Sequence, residues 1–247
     1  MKIKNILISQ PKPAIANSPY FKIAEKYKLK IDFNPFVRTE VKSLIEFNES
    51  KIEIKNHTAF IFYSKIAIDH FFTICKEAKI IPNDEWKYFC LTEAIALYLQ
   101  KYITYRKRKV FYGKSTVNSL IDEIKKFPNE KFLISLPESY KQEIPEALDA
   151  AKIAYTKAIF FRAVCANMSG LDINKYDMLL FFSPIGITSL KVNFPNFEQG
   201  EKIIGTLGEK TAKTAEELGL KVTVKAPTPE FLSIFDALEN FLKENKD

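Results

Sequence analysis

The residues best suited to chemistry in this chain are hydroxyls placed where an apolar run gives way to a helical pattern. In YDMLLFFSPIGITSL (176–190) the run from Met178 to Phe182 reads as a strand buried on both faces, and Ser183 and Pro184 follow at once. Serine before a helix whose first residue is proline forms a helix start, with the serine oxygen free to cap. The remaining N–H groups, at the positive end of the helix, form a place for an anion. Junctions of the same kind are read at Ser9-Gln10-Pro11, Ser64-Lys65, Thr92-Glu93, Lys114-Ser115-Thr116, Gly208 through Thr211, and Pro227-Thr228. One such junction is an ordinary N-cap. Their number, in a chain of net charge +7, points to a partner carrying many negative groups.

Other chemistries find less support. Gly113-Lys114-Ser115 imitates a phosphate-binding loop, but the motif needs another glycine upstream and Arg108 stands there; Gly208-Glu209-Lys210-Thr211 lacks the adjacent Gly-Lys pair. His57 and His70 have no carboxylate or cysteine at ligand spacing and no serine or cysteine in a nucleophile context, which disfavours a zinc site and a hydrolase triad. Cys75, Cys90 and Cys165 are widely spaced in apolar surroundings and read as reduced thiols of a cytoplasmic protein. The basic run Arg106-Lys107-Arg108-Lys109 reads as a solvated edge, since no nucleic-acid-binding motif accompanies it. The phenylalanines fall at strand and helix spacing and read mostly as core. The first residues, MKIKNILISQPKP, are not a signal peptide, and no stretch approaches the ~18 apolar residues of a membrane span.

The elements that must position these junctions alternate. Strand-then-helix units with short connections recur from end to end, the pattern of parallel sheets covered by helices in an α/β protein. The units also resemble one another. HTAFIFYSKIAIDHFF (57–72) parallels 176–190, KYFCLTEAIALYLQ (87–100) parallels 202–218, RKVFYGKSTVNSLIDEI (108–124) parallels 220–238, and KFLISLPESYKQEIPEAL (131–148) parallels 4–27. Extended segments follow both members of the last pair, at 30–40 and 153–164. The repeat permits two cuts: tandem domains, or a middle domain inserted into a discontinuous one.

The ordered set of ILISQP, IFYSKIAIDHFF, FFSPIGITSL, GEKTAKTAEELGL and APTPEFLSIFDAL resembles the uroporphyrinogen-III synthase family over nearly the whole chain. The resemblance implies the second cut. Two similar parallel-sheet domains of flavodoxin/Rossmann-like type, one inserted in the other, would be joined by a two-stranded ladder with a cleft between. The expected boundaries are 1–36 plus 166–247 for the first domain and 41–154 for the inserted one, with bridging strands at 30–40 and 155–166. It also implies a lyase that needs neither metal nor cofactor. A monomer is expected because no unit shows a surplus apolar face, its cytoplasmic place follows from the reduced thiols, and neither nucleic acid nor membrane is expected as partner. The substrate of such a lyase would be hydroxymethylbilane, which carries eight carboxylates, closed into a ring with ring D inverted and water lost. The competing expectation is a non-catalytic protein on the same scaffold that holds a tetrapyrrole or another polyanion.

Carried over residue by residue, the resemblance ranks Ser183 and Thr211 first around the substrate, followed by Thr228 and Ser64. Ser9, Gln10, Thr92 and Gly208 belong to the same set of junctions, and Lys65 and Lys141 are placed to meet carboxylates directly. No residue is assigned as the catalytic acid. Phe161, followed by Arg162, stands where the family commonly has tyrosine, and Ile95 stands where it places a threonine. Gln10 replaces a usual arginine, and Glu209-Lys210 replaces a typical proline and threonine. Tyr155 lies in the same bridging segment as Phe161.

Overall fold

The structure, a computed structural model, describes residues 3–15 and 17–245. In chain order the elements are β1 (Asn5–Ile8), α1 (Pro19–Tyr27), β2 (Lys30–Phe33), β3 (Val37–Val41), α2 (Leu44–Asn48), β4 (Ala59–Phe62), α3 (Lys65–Glu77), β5 (Lys87–Cys90) and α4 (Glu93–Tyr98). They continue with β6 (Val110–Tyr112), α5 (Val117–Ile124), β7 (Phe132–Pro137), α6 (Glu143–Ala150), β8 (Tyr155–Cys165), β9 (Met178–Phe181), α7 (Pro184–Asn193), β10 (Ile203–Leu207), α8 (Glu209–Glu217), β11 (Val222–Ala226) and α9 (Ile234–Glu244). The chain divides into two compact units: one runs to Arg38 and resumes at Val164, and the other is Thr39–Ala163. It passes between them inside β3 and again inside β8, which are neighbours in one sheet.

The first unit is built on a sheet of order β11-β10-β9-β1-β2, every pairing parallel. Numbered within the unit, this is the doubly wound order 2-1-3-4-5, with its reversal point between β1 and β9. Strand residues alternate between two cores. Ile6, Ile8, Met178 and Leu180 face one side with α1 and α9, while Leu7, Leu179 and Phe181 face the other with Ile187 and Ala215. All four residues of β9 are buried, as its unbroken apolar run requires.

The second unit repeats the plan. Its sheet has the order β3-β8-β7-β4-β5-β6, with β4·β5, β4·β7, β5·β6 and β7·β8 parallel. Here β7, β8, β4, β5 and β6 occupy the places held in the first unit by β1, β2, β9, β10 and β11. The sequence pairs of 57–72 with 176–190 and 131–148 with 4–27 are therefore pairs of equivalent strands. Phe60, Phe62 and Leu133 face a core rich in aromatic rings, and Ile61, Ile134 and Leu136 face the other. The phenylalanines do serve as core: Phe71 meets Phe60, Phe62, Phe72, Phe160 and Trp86 edge-on or tilted.

The extended segment 30–40 differs from the single strand expected of it. It is broken at Asn34-Pro35-Phe36: β2 completes the first sheet beside β1, and only β3 lies in the sheet of the second unit. Proline has no N–H to give to a ladder, which is why the strand ends there. Cys75 and Cys90 are buried free thiols and Cys165 is half-buried. Burial pushes the Cys75 thiol up to about 12. Among the described residues no helix is long and apolar enough to cross a membrane.

Close packing gives a stability prediction. A Cβ on Gly205 in β10 would overlap Leu180 Cδ2 and press on Val224, whereas one on Gly170 would meet nothing within 4 Å. Gly205→Ala should destabilise the protein by about 1–3 kcal/mol, as overpacking does. Gly170→Ala should leave the urea midpoint within error, and equal midpoints for the two variants would contradict the packing described.

Candidate functional site

Parallel pairing places every strand end of one sheet on the same edge, and the junction residues therefore gather at the carboxyl edge of their own unit. In the first unit Ser183 Oγ accepts the Gly186 N–H at 3.3 Å and caps α7, with Pro184 at the first helical position. A methyl group on Gly186 would come within 3.5 Å of Ser183 Oγ and 3.9 Å of Ser9 Oγ, so both hydroxyls border the first turn of α7. Both lie at the ends of β1 and β9, where the strand order reverses. On the neighbouring strand, Gly208 adopts φ 91°, a backbone state suited to glycine, and begins α8 with no side-chain cap. Thr211, 2% exposed, sits in the first turn of α8, and among the described residues its hydroxyl has no hydrogen-bond partner. The result is an uncapped helix start beside hydroxyls, able to donate to an anion.

In the second unit Ser64 caps α3 by accepting the Ala67 N–H at 3.1 Å, Thr92 caps α4 through Ile95 N–H at 3.3 Å, and Thr116 caps α5 through Ser119 N–H at 3.2 Å. Lys65 opens α3 with its ammonium 5.3 Å above the Tyr98 ring, whose hydroxyl donates to Asp69. Lys141 is exposed just before α6. The loop at Gly113-Lys114-Ser115 is closed on itself: the Lys114 N–H donates to Ser119 Oγ at 2.7 Å, and a Cβ on Gly113 would strike Leu120 N at 2.8 Å. The Gly113 N–H goes to Cys90 O at 3.0 Å, so two of the three amides are already engaged.

Two expected helix starts are corrected. Ser9-Gln10-Pro11 opens no helix. Ser9 is buried and its N–H extends the ladder to Leu180 O, while α1 begins only at Pro19. Gln10 is exposed in the intervening loop. Pro227-Thr228 also opens none. Thr228 closes a local turn with Phe231, accepting its N–H at 3.0 Å, and the helix starts at Ile234, capped by Ser233 through Asp236 N–H. At Thr228 the hydroxyl near a proline marks a turn rather than a first helical residue, whereas Ser9 continues the strand ladder through its N–H.

Of the remaining residues, His57 has both ring nitrogens engaged, by Glu53 O at 3.0 Å and Thr156 Oγ1 at 2.8 Å. His70 is half-buried on α3 and stacks on Phe161, centroids 4.7 Å apart; burial, opposed by Asp69, lowers its pKa. Among the described residues no cluster of three or more His, Cys, Asp or Glu is arranged to hold a metal.

A family model, uroporphyrinogen-III synthase HemD, matches residues 22–236 of the chain. The chain belongs to the uroporphyrinogen-III synthase family. The crystal structure of uroporphyrinogen-III synthetase from Helicobacter pylori is similar at a TM-score of 0.51 with 15% identity, covering 98% of this chain and all of that one. A mutant uroporphyrinogen III synthase from Thermus thermophilus aligns at 0.46 with 14% identity, over 99% of this chain and 100% of that one. No curated protein sequence matches.

Two departures from the synthase family now have surroundings. Phe161 is buried under His70, within β8 and opposite Pro137, the last residue of β7. Ile95 is buried in the first turn of α4, where its N–H still receives the Thr92 cap, so the helix start survives without a hydroxyl at that position. Tyr155 pairs with Phe132 at the amino end of β8, away from the carboxyl edge, and donates its hydroxyl to Pro145 O at 3.3 Å. Next to Phe161, Arg162 bonds Glu46 at 2.6 Å and Glu40 at 3.2 Å.

The Ser43 N–H, the Arg162 guanidinium and the Ser43 hydroxyl hold the Glu46 carboxyl down to about 2 from its ordinary 4.5. A depressed carboxylate stabilises the fold fully above 4.5, and that contribution is lost as pH falls toward 2. Glu46→Gln should flatten the loss of stability across that window in acid titrations of the melting temperature; an unchanged slope would contradict the clasp.

Proposed function

We propose that this chain is a cofactor-free uroporphyrinogen-III synthase, converting hydroxymethylbilane to uroporphyrinogen III. The observation that carries the reading is the family match across residues 22–236. The geometry of the junctions supports it. The substrate presents eight carboxylates, and the carboxyl edge of each unit presents helix starts, each able to favour an anion by roughly 0.3–1 kcal/mol when exposed and up to ~2 when sheltered. In the first unit, the uncapped start of α8 and the Thr211 hydroxyl form the strongest donor set, with Ser183 and Ser9 beside it. In the second, Ser64, Lys65 and Lys141 supply hydroxyl and ammonium groups at the corresponding edge.

The chemistry asks more of position than of acid strength. Departure of the substrate's hydroxyl as water leaves an azafulvene cation. The substituted carbon of ring D attacks it and forms a spiro intermediate. This fragments, recloses through the unsubstituted carbon, and loses a proton to restore the ring, so the proton gained by the leaving hydroxyl is balanced. Without guidance the chain closes with no inversion. Selectivity therefore comes from holding the carboxylates so that the hindered carbon lies nearest, an orientation effect. The buried Phe161 leaves that residue without a phenolic acid to offer, in keeping with a mechanism that relies on orientation.

Incubation with hydroxymethylbilane, followed by oxidation and separation of the isomers, tests the reading. Isomer III above the spontaneous background is expected, and isomer I alone would overturn it. Thr211→Ala should lower kcat/KM by about tenfold, the loss of one hydrogen bond to a charged group. Lys243→Ala, on the exposed last turn of α9, should not change it.

A further inference from the structure

We propose that an apolar hollow at the carboxyl edge of the second unit seats one pyrrole ring of the substrate, with a carboxylate arm of that ring on Lys141. This rests on the synthase reading and adds a ring-binding element to its anion-binding ones.

The hollow has a volume of about 290 Å³ and lies within the second unit. Tyr63 enters it from the end of β4, Leu91 from the end of β5, and Leu136 from β7, while Val117 begins α5 and Tyr140 and Lys141 precede α6. Since β4 and β7 are the strands between which this sheet reverses its order, the hollow occupies the crevice where open parallel sheets bind ligands. Its walls are aliphatic and aromatic, suited to the faces of a flat ring. Tyr63 is half-buried, burial pushes its phenol up to about 12, and among the described residues its hydroxyl has no hydrogen-bond partner. A pyrrole N–H has an acceptor in that oxygen.

Charge at the rim selects the arms. Lys141 is exposed and, among the described residues, forms no ion pair; Ser139 stands beside it, and Glu143, at the first residue of α6, is the one acid lining the hollow. A small inorganic anion would leave the apolar walls unused, and a wholly apolar ligand would leave Lys141 unused. A ring bearing short carboxylate arms uses both. The equivalent reversal point of the first unit, between β1 and β9, is occupied by the Ser9 and Ser183 hydroxyls around Gly186. The two edges are thus built differently: one for carboxylates, the other for a ring with its arm.

The test titrates the full chain, isotopically labelled, with a stable monopyrrole carrying one acetate and one propionate arm, and follows backbone amide shifts. Saturable shifts at Leu91, Tyr140 and Lys141 are expected. Val117→Trp, which fills the hollow from a half-exposed position, should abolish them and raise KM for hydroxymethylbilane about tenfold, whereas Val192→Trp on the exposed face of α7 should do neither. Lys141→Gln, at an exposed residue that cannot unfold the core, should weaken the monopyrrole severalfold. Isomer III formed by a wild-type chain whose hollow amides do not shift would overturn the inference and leave the synthase reading intact, as would a Val117→Trp variant with unchanged KM. If no isomer III forms, the synthase reading fails and the inference that rests on it fails with it.

Discussion

Parallel strand pairing is the constraint on which the rest of this molecule depends. A strand that must lie parallel to its predecessor can be reached only by a crossover, here a helix, and every crossover begins at the same edge of the sheet. Five parallel strands in the first unit and the equivalent run in the second thus deliver helix starts to one edge of each unit. The buried apolar runs, such as Met178 to Phe181, enforce the arrangement because both of their faces must be covered. Anion-binding capacity follows from the fold before any charged side chain is chosen. The proposed synthase reading uses these helix starts where a dedicated set of arginines would otherwise be needed.

Within that frame the two units have diverged in chemistry while keeping one topology. Ser9, Ser183, Gly208 and Thr211 place hydroxyls and uncapped amides at three neighbouring strand ends of the first sheet. The second sheet caps its helices more completely, through Ser64, Thr92 and Thr116, and opens an apolar hollow at the same topological position. Capped helix starts offer fewer free donors, and in the second unit the exposed Lys65 and Lys141 stand at the start of α3 and just before α6. In the basic run, Arg106 is paired with Asp84 and Lys109 with Glu85, at the amino end of β6.

Much of this was legible in the sequence because it is local. A serine or threonine directly after a buried apolar run predicts the caps at Ser64, Thr92 and Ser183, since capping joins residues only three positions apart. The same local logic misread Ser9 and Thr228. At Ser9 the serine continues the ladder to β9, a partner far along the chain. At Thr228 the cap lies a few residues on, in Ser233-Ile234-Phe235-Asp236, because the prolines hold the intervening chain in a turn. The hollow was not legible at all. It depends on Tyr63, Val117 and Leu136 meeting from three crossovers, and no spacing in the sequence reports how side chains from separate strands leave space between them.

The central claim is that backbone amides at the carboxyl edges, rather than the basic run, hold the carboxylates. Amide-resolved NMR of the labelled chain with a stable octacarboxylate porphyrin tests it most directly. The largest saturable shifts are expected at the amides of Glu209, Lys210 and Ile185, first-turn N–H groups that no cap takes up among the described residues. Shifts confined to Arg106 through Lys109 would contradict it.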